Sequence, residues 1–199
     1  MTDSGRSAID LALFEVLATS RRTSLRMDRE RGVPVELVQR LCRLATWAPN
    51  HKKTWPWRFA LFTGEGRAEL GATIADALEA TGYDDSTRLE KYRVKYLRAP
   101  AMLVVGSAVG DRDLRTVENR DAVAAGVENL LLGATAAGLA SFWSSGVPEA
   151  DAAVAELAGW EDGTSTVAII YLGWPDGIVA TPERPLPALA VLDERRPPR

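Results

Sequence analysis

The chain has 199 residues, 46% hydrophobic and 26% charged, which is ordinary for a soluble globular protein with a sizeable core. Its formal net charge of −3 gives no reason to expect nucleic acid or an anionic membrane as a partner. One cysteine, Cys42, excludes an internal disulfide, and one histidine, His51, argues against a zinc site. Because neither a signal segment nor a run of about 18 apolar residues is visible, we expect a cytoplasmic protein.

The first half of the chain is predicted to be mainly helical. A helix is predicted from Ala8 to Thr19, where apolar residues recur on one face, and it ends at the polar stretch SRRTS. A second helix begins near Pro34, a favoured first-turn residue, and runs until Pro49. An irregular loop follows, because Pro49 and Pro56 prevent regular pairing, and WRFALFTG after it is predicted to be a strand.

The second half alternates more regularly between helices and strands. Two helices, EGRAELGATIADALEAT and STRLEKYRVKYLR, precede AMLVVGSAV, whose continuous apolar character predicts a buried strand. The polar stretch DRDLRTVENR is predicted to be a mobile loop before the longest helix, from about Asp121 to Ala137, which Gly138 ends. LASFWSSG and STVAIIYLGWP are predicted strands on either side of a helix in EADAAVAELAG, and the tail after Pro175 is predicted to be extended.

This order of elements bounds the fold class. A doubly wound parallel sheet requires strict alternation of helix and strand, which the doubled helices and the long central helix do not fit. No glycine fingerprint follows a predicted strand, which argues against a dinucleotide-binding Rossmann start. Since no internal repeat or linker is visible, we expect a single α+β domain over residues 1–199.

Three stretches carry residues suited to ligand binding. SRRTSLR places three arginines among hydroxyls, and an arginine fork can bind a phosphate, although a solvated basic helix end has the same composition. ATWAPNHKKTWPWRFALF, at positions 45–62, combines tryptophans, lysines and the histidine, and is either a ligand-binding loop or an aromatic corner of the core. GLASFWSSG breaks into a turn whose N–H groups and aromatic face suit a planar heteroaromatic ligand, or equally an ordinary turn after a core tryptophan.

Together these stretches resemble the flavin-dependent nitroreductases, especially the small, minimal members of that family. SRRTSLR is similar to the family's N-terminal Arg-Arg-Ser motif, and WAPNHKKTWPWRF to its Ala-Pro-Ser...Gln-Pro-Trp loop. NLLLGATAAGLASFW resembles the central helix with its Gly-Leu-Gly turn, and VAIIYLGWP the closing strand. The resemblance covers nearly the whole chain. It implies a central, mainly antiparallel sheet flanked by helices, in an intertwined homodimer that holds FMN at the subunit interface.

The resemblance also implies which residues contact the cofactors. Residues implied at the FMN phosphate and ribityl chain are Arg21, Arg22 and Thr23; those near the flavin ring are Trp47, His51, Trp143, Ser144 and Ser145. The stretch implied to bind the nicotinamide cofactor is Gly133, Ala134, Thr135, Ala136, Ala137 and Gly138. For His51 the alternative is a solvent-facing loop histidine hydrogen-bonded to backbone.

Two positions depart from the family pattern. Lys53 stands where the family has Asn, and Trp55 where it has Gln, so the side chains that usually contact the polar edge of the flavin are replaced here. Lys53 is a candidate to stabilise negative charge on reduced flavin instead. Arg26 is a candidate donor at the N1–C2 edge, where charge accumulates on reduction.

The implied activity is reduction of nitroaromatic, quinone or related electron-poor small molecules by NAD(P)H, in ping-pong hydride transfer through flavin N5. Because the cofactor carries the chemistry, no catalytic side chain and no metal are expected. The alternatives are a flavoprotein of the same fold with other chemistry, such as flavin fragmentation or reductive dehalogenation, a non-catalytic flavin-binding protein, and an apo structural homodimer.

The sequence also predicts a dimer independently of the family resemblance. The longest helix carries small residues beside apolar Val127, Leu130, Leu131 and Leu132, so it is apolar over most of its circumference. A surplus apolar face is commonly buried against a symmetric copy, and the tail from Pro182 is predicted to wrap over the partner.

Overall fold

The computed structural model describes residues 10–191. The helices are α1 (Leu11–Ser20), α2 (Val35–Ala45), α3 (Gly66–Ala80), α4 (Ser86–Lys95), α5 (Asp113–Ala136) and α6 (Asp151–Leu157). The strands are β1 (Trp57–Thr63), β2 (Ala101–Ser107), β3 (Ala140–Ser144) and β4 (Ser165–Gly173). Short 3-10 turns occupy His51–Lys53, Tyr96–Arg98 and Pro148–Ala150. The predicted order of elements is confirmed.

The four strands form one antiparallel sheet in the order β1-β2-β4-β3, which confirms the α+β fold class. All seven residues of β2 are buried, because this strand is central and helices cover both faces of the sheet. Leu103 and Val105 point into the core formed with α2 and α5, whereas Met102 and Val104 point into the core formed with α3 and α6. The side chains thus alternate as strand geometry requires.

The long helix α5 packs against α2 through glycines. A Cβ at Gly126 would lie 2.5 Å from the Ala45 carbonyl oxygen, and one at Gly133 would lie 2.5 Å from Leu44 Cδ1. Val127, Leu130 and Leu131 are buried in the same core. The small residues therefore serve close approach to a helix of the same chain, and these three apolar side chains do not belong to a surplus face.

The prediction for residues 111–120 is wrong, because α5 begins at Asp113 and not near Asp121. Residues 113–120 of the polar stretch form about the first two turns of α5, in which Arg115 and Asn119 are the buried side chains. Apolar Leu114 and Val117 in the same turns are exposed. In these turns the buried face of the helix is polar and the exposed face carries the apolar residues, the reverse of the usual arrangement. The polar composition of the stretch therefore led to the prediction of a loop.

The two ends of the described chain add exposed apolar surface. Helix α1 buries none of its residues, and its large apolar side chains Leu11, Leu13, Phe14 and Val16 are exposed. Positions 8 and 9 of the predicted first helix lie outside the described residues. Residues 176–191 contain neither helix nor strand, as predicted for the tail, and the remaining tail residues also lie outside the described part. Among the helices in residues 10–191, none is long and apolar enough to cross a membrane.

Candidate functional site

The segment after α1 runs beside strand β3. Thr23 forms a parallel bridge with Ser141, and the Ser24 amide donates to the Ser141 carbonyl at 2.9 Å. Ser24 and Ser141 are both buried, so this contact is part of the packed structure. It brings the arginine motif and the start of the strand that carries Trp143 onto one surface, although the two are far apart in sequence.

The two adjacent arginines differ in how they are held. Arg22 donates to the Arg21 carbonyl at 2.9 Å and to the Thr181 hydroxyl at 2.6 Å, and also to the Thr19 carbonyl. The Arg21 side chain is 18% exposed and makes two long contacts, to Glu128 at 3.7 Å and to the Thr23 hydroxyl at 3.5 Å. Arg22 therefore anchors the C-terminal tail, while most of the donor capacity of Arg21 remains available for a ligand.

A cavity of about 360 Å³ lies beside these arginines. Its charged lining residues are Arg21, Arg22, Arg184 and Glu128, so cations outnumber anions three to one. A smaller cavity of about 160 Å³, which Arg22 also lines, includes Ser24 and Thr135 in its lining. A phosphate group is the ligand that such an arginine-rich surface suits best.

The predicted ring-binding turn lies at the end of β3. Trp143 is half-buried, pairs with Ile170 of β4 and packs against the core shared by α2 and α5. Ser144 closes the strand, and Ser145 after it is exposed. The turn is therefore exposed to solvent at the end of β3, the strand beside which the arginine motif runs.

The loop between α2 and β1 is strained and presents aromatic side chains to solvent. Trp47 is 84% exposed and Trp55 is 60% exposed. Lys52, Lys53 and Trp55 all have positive φ values, of 63°, 53° and 51°. Non-glycine residues rarely adopt this left-handed region, and a bulky residue there is an outlier, so the loop conformation must be held by its surroundings.

Helix α5 supplies those contacts. His51 Nδ1 lies 3.3 Å from the Glu118 carboxylate, which also pairs with Arg115 at 2.7 Å. Arg115 donates to the His51 carbonyl at 3.4 Å, and the Thr54 hydroxyl donates to Asn119 at 2.6 Å. Sequence reasoning missed all three α5 residues because it assigned them to a loop. Their i, i+3, i+4 spacing was the available signal, since it places them on one helix face.

A cavity of about 510 Å³ lies between this loop and the first turns of α5. Its lining includes Lys52, Thr54, Arg115 and Asn119, together with Arg58, which is paired with Glu161 through two nitrogens. The cavity is therefore polar and carries more cations than anions.

The two candidate regions are separated along α5. Arg21 contacts Glu128, whereas His51 contacts Glu118, ten residues earlier in the same helix. At 1.5 Å per residue these contacts are about 15 Å apart along the helix axis. The structure thus places the arginine motif beside the start of β3, the strand that ends in the Ser144–Ser145 turn. It leaves His51 at a distance from Arg21 within one chain.

The predicted nicotinamide stretch forms the end of α5. Ala134 is fully buried, Gly133 packs against α2, and Gly138 has a φ of +78° as the helix ends. Thr135 lines the small cavity beside Arg22. These positions have evident packing roles, and cofactor binding by Gly133, Ala134, Thr135, Ala136, Ala137 and Gly138 stays a prediction.

Groups with shifted pKa values lie elsewhere. Burial raises the pKa of the Cys42 thiol to about 11. Burial, together with Lys91 and Arg88, lowers the pKa of Lys95 to about 8. Within residues 10–191, no group of three or more His, Cys, Asp or Glu side chains is arranged to hold a metal ion.

A sequence model described as the nitroreductase family matches residues 18–174. The chain belongs to the nitroreductase family. YdjA of Escherichia coli K12, provisionally named an NAD(P)H nitroreductase, is 29% identical over 160 residues, which cover 80% of this chain and 86% of YdjA.

Two solved structures show the same fold. A nitroreductase-like family protein from Bacillus cereus matches with a TM-score of 0.74 at 24% identity, over 96% of this chain and 100% of that one. The FMN-dependent nitroreductase NfnB from Mycobacterium smegmatis, solved with NADPH, matches with a TM-score of 0.64 at 20% identity, over 84% and 90%.

Proposed function

We propose that this nitroreductase-family chain is a single FMN-binding domain that uses NAD(P)H to reduce electron-poor small molecules such as nitroaromatics and quinones. The observation that carries the proposal is the pairing of Thr23 with Ser141. It joins the motif implied to bind the FMN phosphate to the strand that leads to the turn implied to bind the flavin ring. The names of YdjA and NfnB support the same chemistry.

The arginine region fits the phosphate end of FMN. Arg21 lies at the edge of a 360 Å³ cavity and has only two long contacts of its own, so it can offer a charge-assisted pair of hydrogen bonds. Thr23 is exposed beside it and adds a hydroxyl. Arg184, from the tail, lines the same cavity, and Arg22 holds that tail through Thr181. These residues are suited to bind a dianionic phosphate.

The turn after β3 fits the ring end. Trp143 provides a half-buried aromatic surface, and the exposed Ser145 directly after the strand provides an accessible polar residue beside it. Such groups suit a planar heteroaromatic ring with polar edges. When bound, FMN would accept hydride from NAD(P)H and pass reducing equivalents to the acceptor, so the protein's task is binding, orientation and electrostatics.

We further propose a homodimer in which the loop of one protomer covers the FMN of the other. His51, in the loop that also carries exposed Trp55, contacts α5 about 15 Å along the helix axis from the Arg21 contact of its own chain. Helix α1 presents four large apolar side chains to solvent, more than an isolated surface helix needs. A two-fold interface would bury this surface and complete the site with the partner's loop.

In this arrangement the loop residues act on the flavin ring from the partner's side. His51, fixed by Glu118, would contact the ring, and exposed Lys53 would place positive charge near its polar edge, where charge accumulates on reduction. Trp47 and Trp55 would shield the ring from water. Arg26 is exposed, and its guanidinium contacts the Ile178 carbonyl at 3.4 Å, which points towards the tail.

The test is the absorbance spectrum of purified protein before and after incubation with FMN, followed by NADH and NADPH oxidation with benzoquinone, a nitrobenzoate and a halogenated phenol as acceptors. We expect about one bound flavin per chain and acceptor-dependent oxidation of one or both nicotinamides. A colourless protein that takes up no FMN would refute the proposal. Stoichiometric flavin without turnover would favour a flavin-binding protein, and turnover with only a halogenated aromatic would favour reductive dehalogenation.

A further inference from the structure

The loop between α2 and β1 adopts a conformation that its own sequence does not favour. Three of its residues, Lys52, Lys53 and Trp55, lie in the left-handed region, and none is glycine. Such conformations persist only where the surrounding structure holds them, and they concentrate at functional sites. The loop must therefore be fixed by contacts from outside it.

One continuous chain of hydrogen bonds supplies this restraint. The Trp55 amide donates to Asn50 Oδ1 at 2.9 Å, and Asn50 Nδ2 donates to the Thr54 hydroxyl at 3.0 Å. Thr54 in turn donates to Asn119 Oδ1 at 2.6 Å, and Asn119 Nδ2 donates to the Ala108 carbonyl at 3.1 Å. Every donor in the chain has one acceptor, and all four bonds have ordinary lengths.

This series of hydrogen bonds passes through one buried residue of α5, Asn119. Asn119 is 2% exposed and is the point where the loop hydroxyl meets α5 and the residue after β2. Arg115, one turn earlier on the same helix face, donates to the backbone carbonyl of His51, and Glu118, directly before Asn119, contacts the His51 ring. A buried amide with both its polar atoms used is rigid, because any other rotamer leaves a polar group unsatisfied.

We propose that Asn119 is a positioning residue for the flavin-facing loop, acting through Thr54 and Asn50 to hold the strained backbone at Trp55. The inference rests on the proposed function, which places this loop against FMN. Asn119 itself touches no cofactor. Its role is to hold Trp55 and His51 in the positions from which they contact the flavin ring, so that the site is already formed when the acceptor binds.

Thr54 allows an isosteric test, because it is exposed and its hydroxyl is the central link of the chain. T54V removes both of its hydrogen bonds without changing shape, and T54S keeps them. T116V is the matched control, since Thr116 lies on α5 and bonds to Gly110 and Arg112 outside the chain. Hydrogen exchange of the peptide that contains Trp55 reports loop anchoring without any cofactor.

We expect T54V and N119A to raise exchange at the Trp55 amide by about fivefold or more, with T54S and T116V like the wild type. In the FMN-loaded protein, T54V should raise the FMN dissociation constant and the acceptor KM by about threefold to tenfold, with a smaller change in kcat. T54S should restore both.

The outcomes separate the two proposals. A wild-type protein that binds no FMN refutes the proposed function, while the exchange data still decide whether Asn119 anchors the loop. A wild type that binds FMN, with T54V unchanged in exchange, overturns the anchoring. Raised exchange with unchanged FMN binding and unchanged acceptor KM overturns the positioning role.

Discussion

Replacing Arg21 with alanine should weaken FMN binding strongly and leave the fold intact. In the structure the Arg21 guanidinium contacts Glu128 at 3.7 Å and Thr23 at 3.5 Å, both too long to stabilise the chain much. An ion pair of this kind contributes about 0–1 kcal/mol to stability. The substitution should therefore reduce the affinity for FMN and change the stability of the fold only slightly.

The expected magnitude follows from the type of contact. A charge-assisted hydrogen bond contributes about 1.5–3 kcal/mol, and each 1.4 kcal/mol is about tenfold in a dissociation constant. Arg21→Ala should thus raise the FMN dissociation constant by about 10-fold to 150-fold. Glu128 adds to the loss, because its carboxylate would face the phosphate without the arginine beside it.

Arg26→Ala is the comparison for this substitution, because Arg26 is a candidate donor to the flavin ring edge and not to the phosphate. Arg26 is in the same motif but is exposed, and its guanidinium makes a single carbonyl contact at 3.4 Å. Its removal should change the dissociation constant by no more than about fivefold. The assay is quenching of FMN fluorescence at constant ionic strength, with thermal unfolding of both variants as the check on folding. Equal dissociation constants for the two variants would refute the phosphate assignment.

Four further outcomes are expected. Gly126→Ala should destabilise the fold by about 1–3 kcal/mol in a thermal melt, more than Gly133→Ala, because its Cβ meets a backbone oxygen and not a side-chain end; equal shifts would contradict the packing account. Steady-state kinetics with NAD(P)H and a quinone should give parallel double-reciprocal lines, and intersecting lines would contradict a shared acceptor and donor position. Lys95→Met should raise the free energy of unfolding in urea at pH 7, because the pKa of Lys95 is lowered to about 8 in the folded protein and the unfolded chain therefore binds the proton more tightly. The stability of the wild type rises between pH 8 and 10.5 as this proton is lost, so the difference in stability between variant and wild type should shrink over that range. A difference that stays constant with pH would refute this. Since burial raises the pKa of Cys42 to about 11, native protein at pH 8 should react with a disulfide reagent far more slowly than unfolded protein, and equal rates would refute this.

Much of the fold was predictable from hydrophobic patterning and chain punctuation. AMLVVGSAV is continuously apolar because β2 is covered on both faces, and Pro34 and Gly138 mark the beginning of α2 and the end of α5. These signals depend only on neighbouring residues, so they can be recognised in the sequence without knowing the tertiary structure. The antiparallel order of the sheet followed from the family resemblance and not from the patterning.

The first turns of α5 show where local reasoning fails. A helix whose buried positions are Arg115 and Asn119 and whose exposed ones are Leu114 and Val117 has no readable apolar stripe. Those polar residues are buried because the loop of His51 and Thr54 supplies their partners from elsewhere in the chain. Motif spacing located this loop, but neither its strain nor its anchoring could be derived from the sequence.

Sedimentation velocity tests directly whether two chains together complete the flavin site. Absorbance at a flavin wavelength and at a protein wavelength is recorded over a dilution series. If FMN binds across the interface, binding and dimerisation are linked, so flavin should sediment with the dimer and be released as dilution produces monomer. A monomer that carries FMN stoichiometrically would contradict both the shared site and the role assigned to the partner's loop.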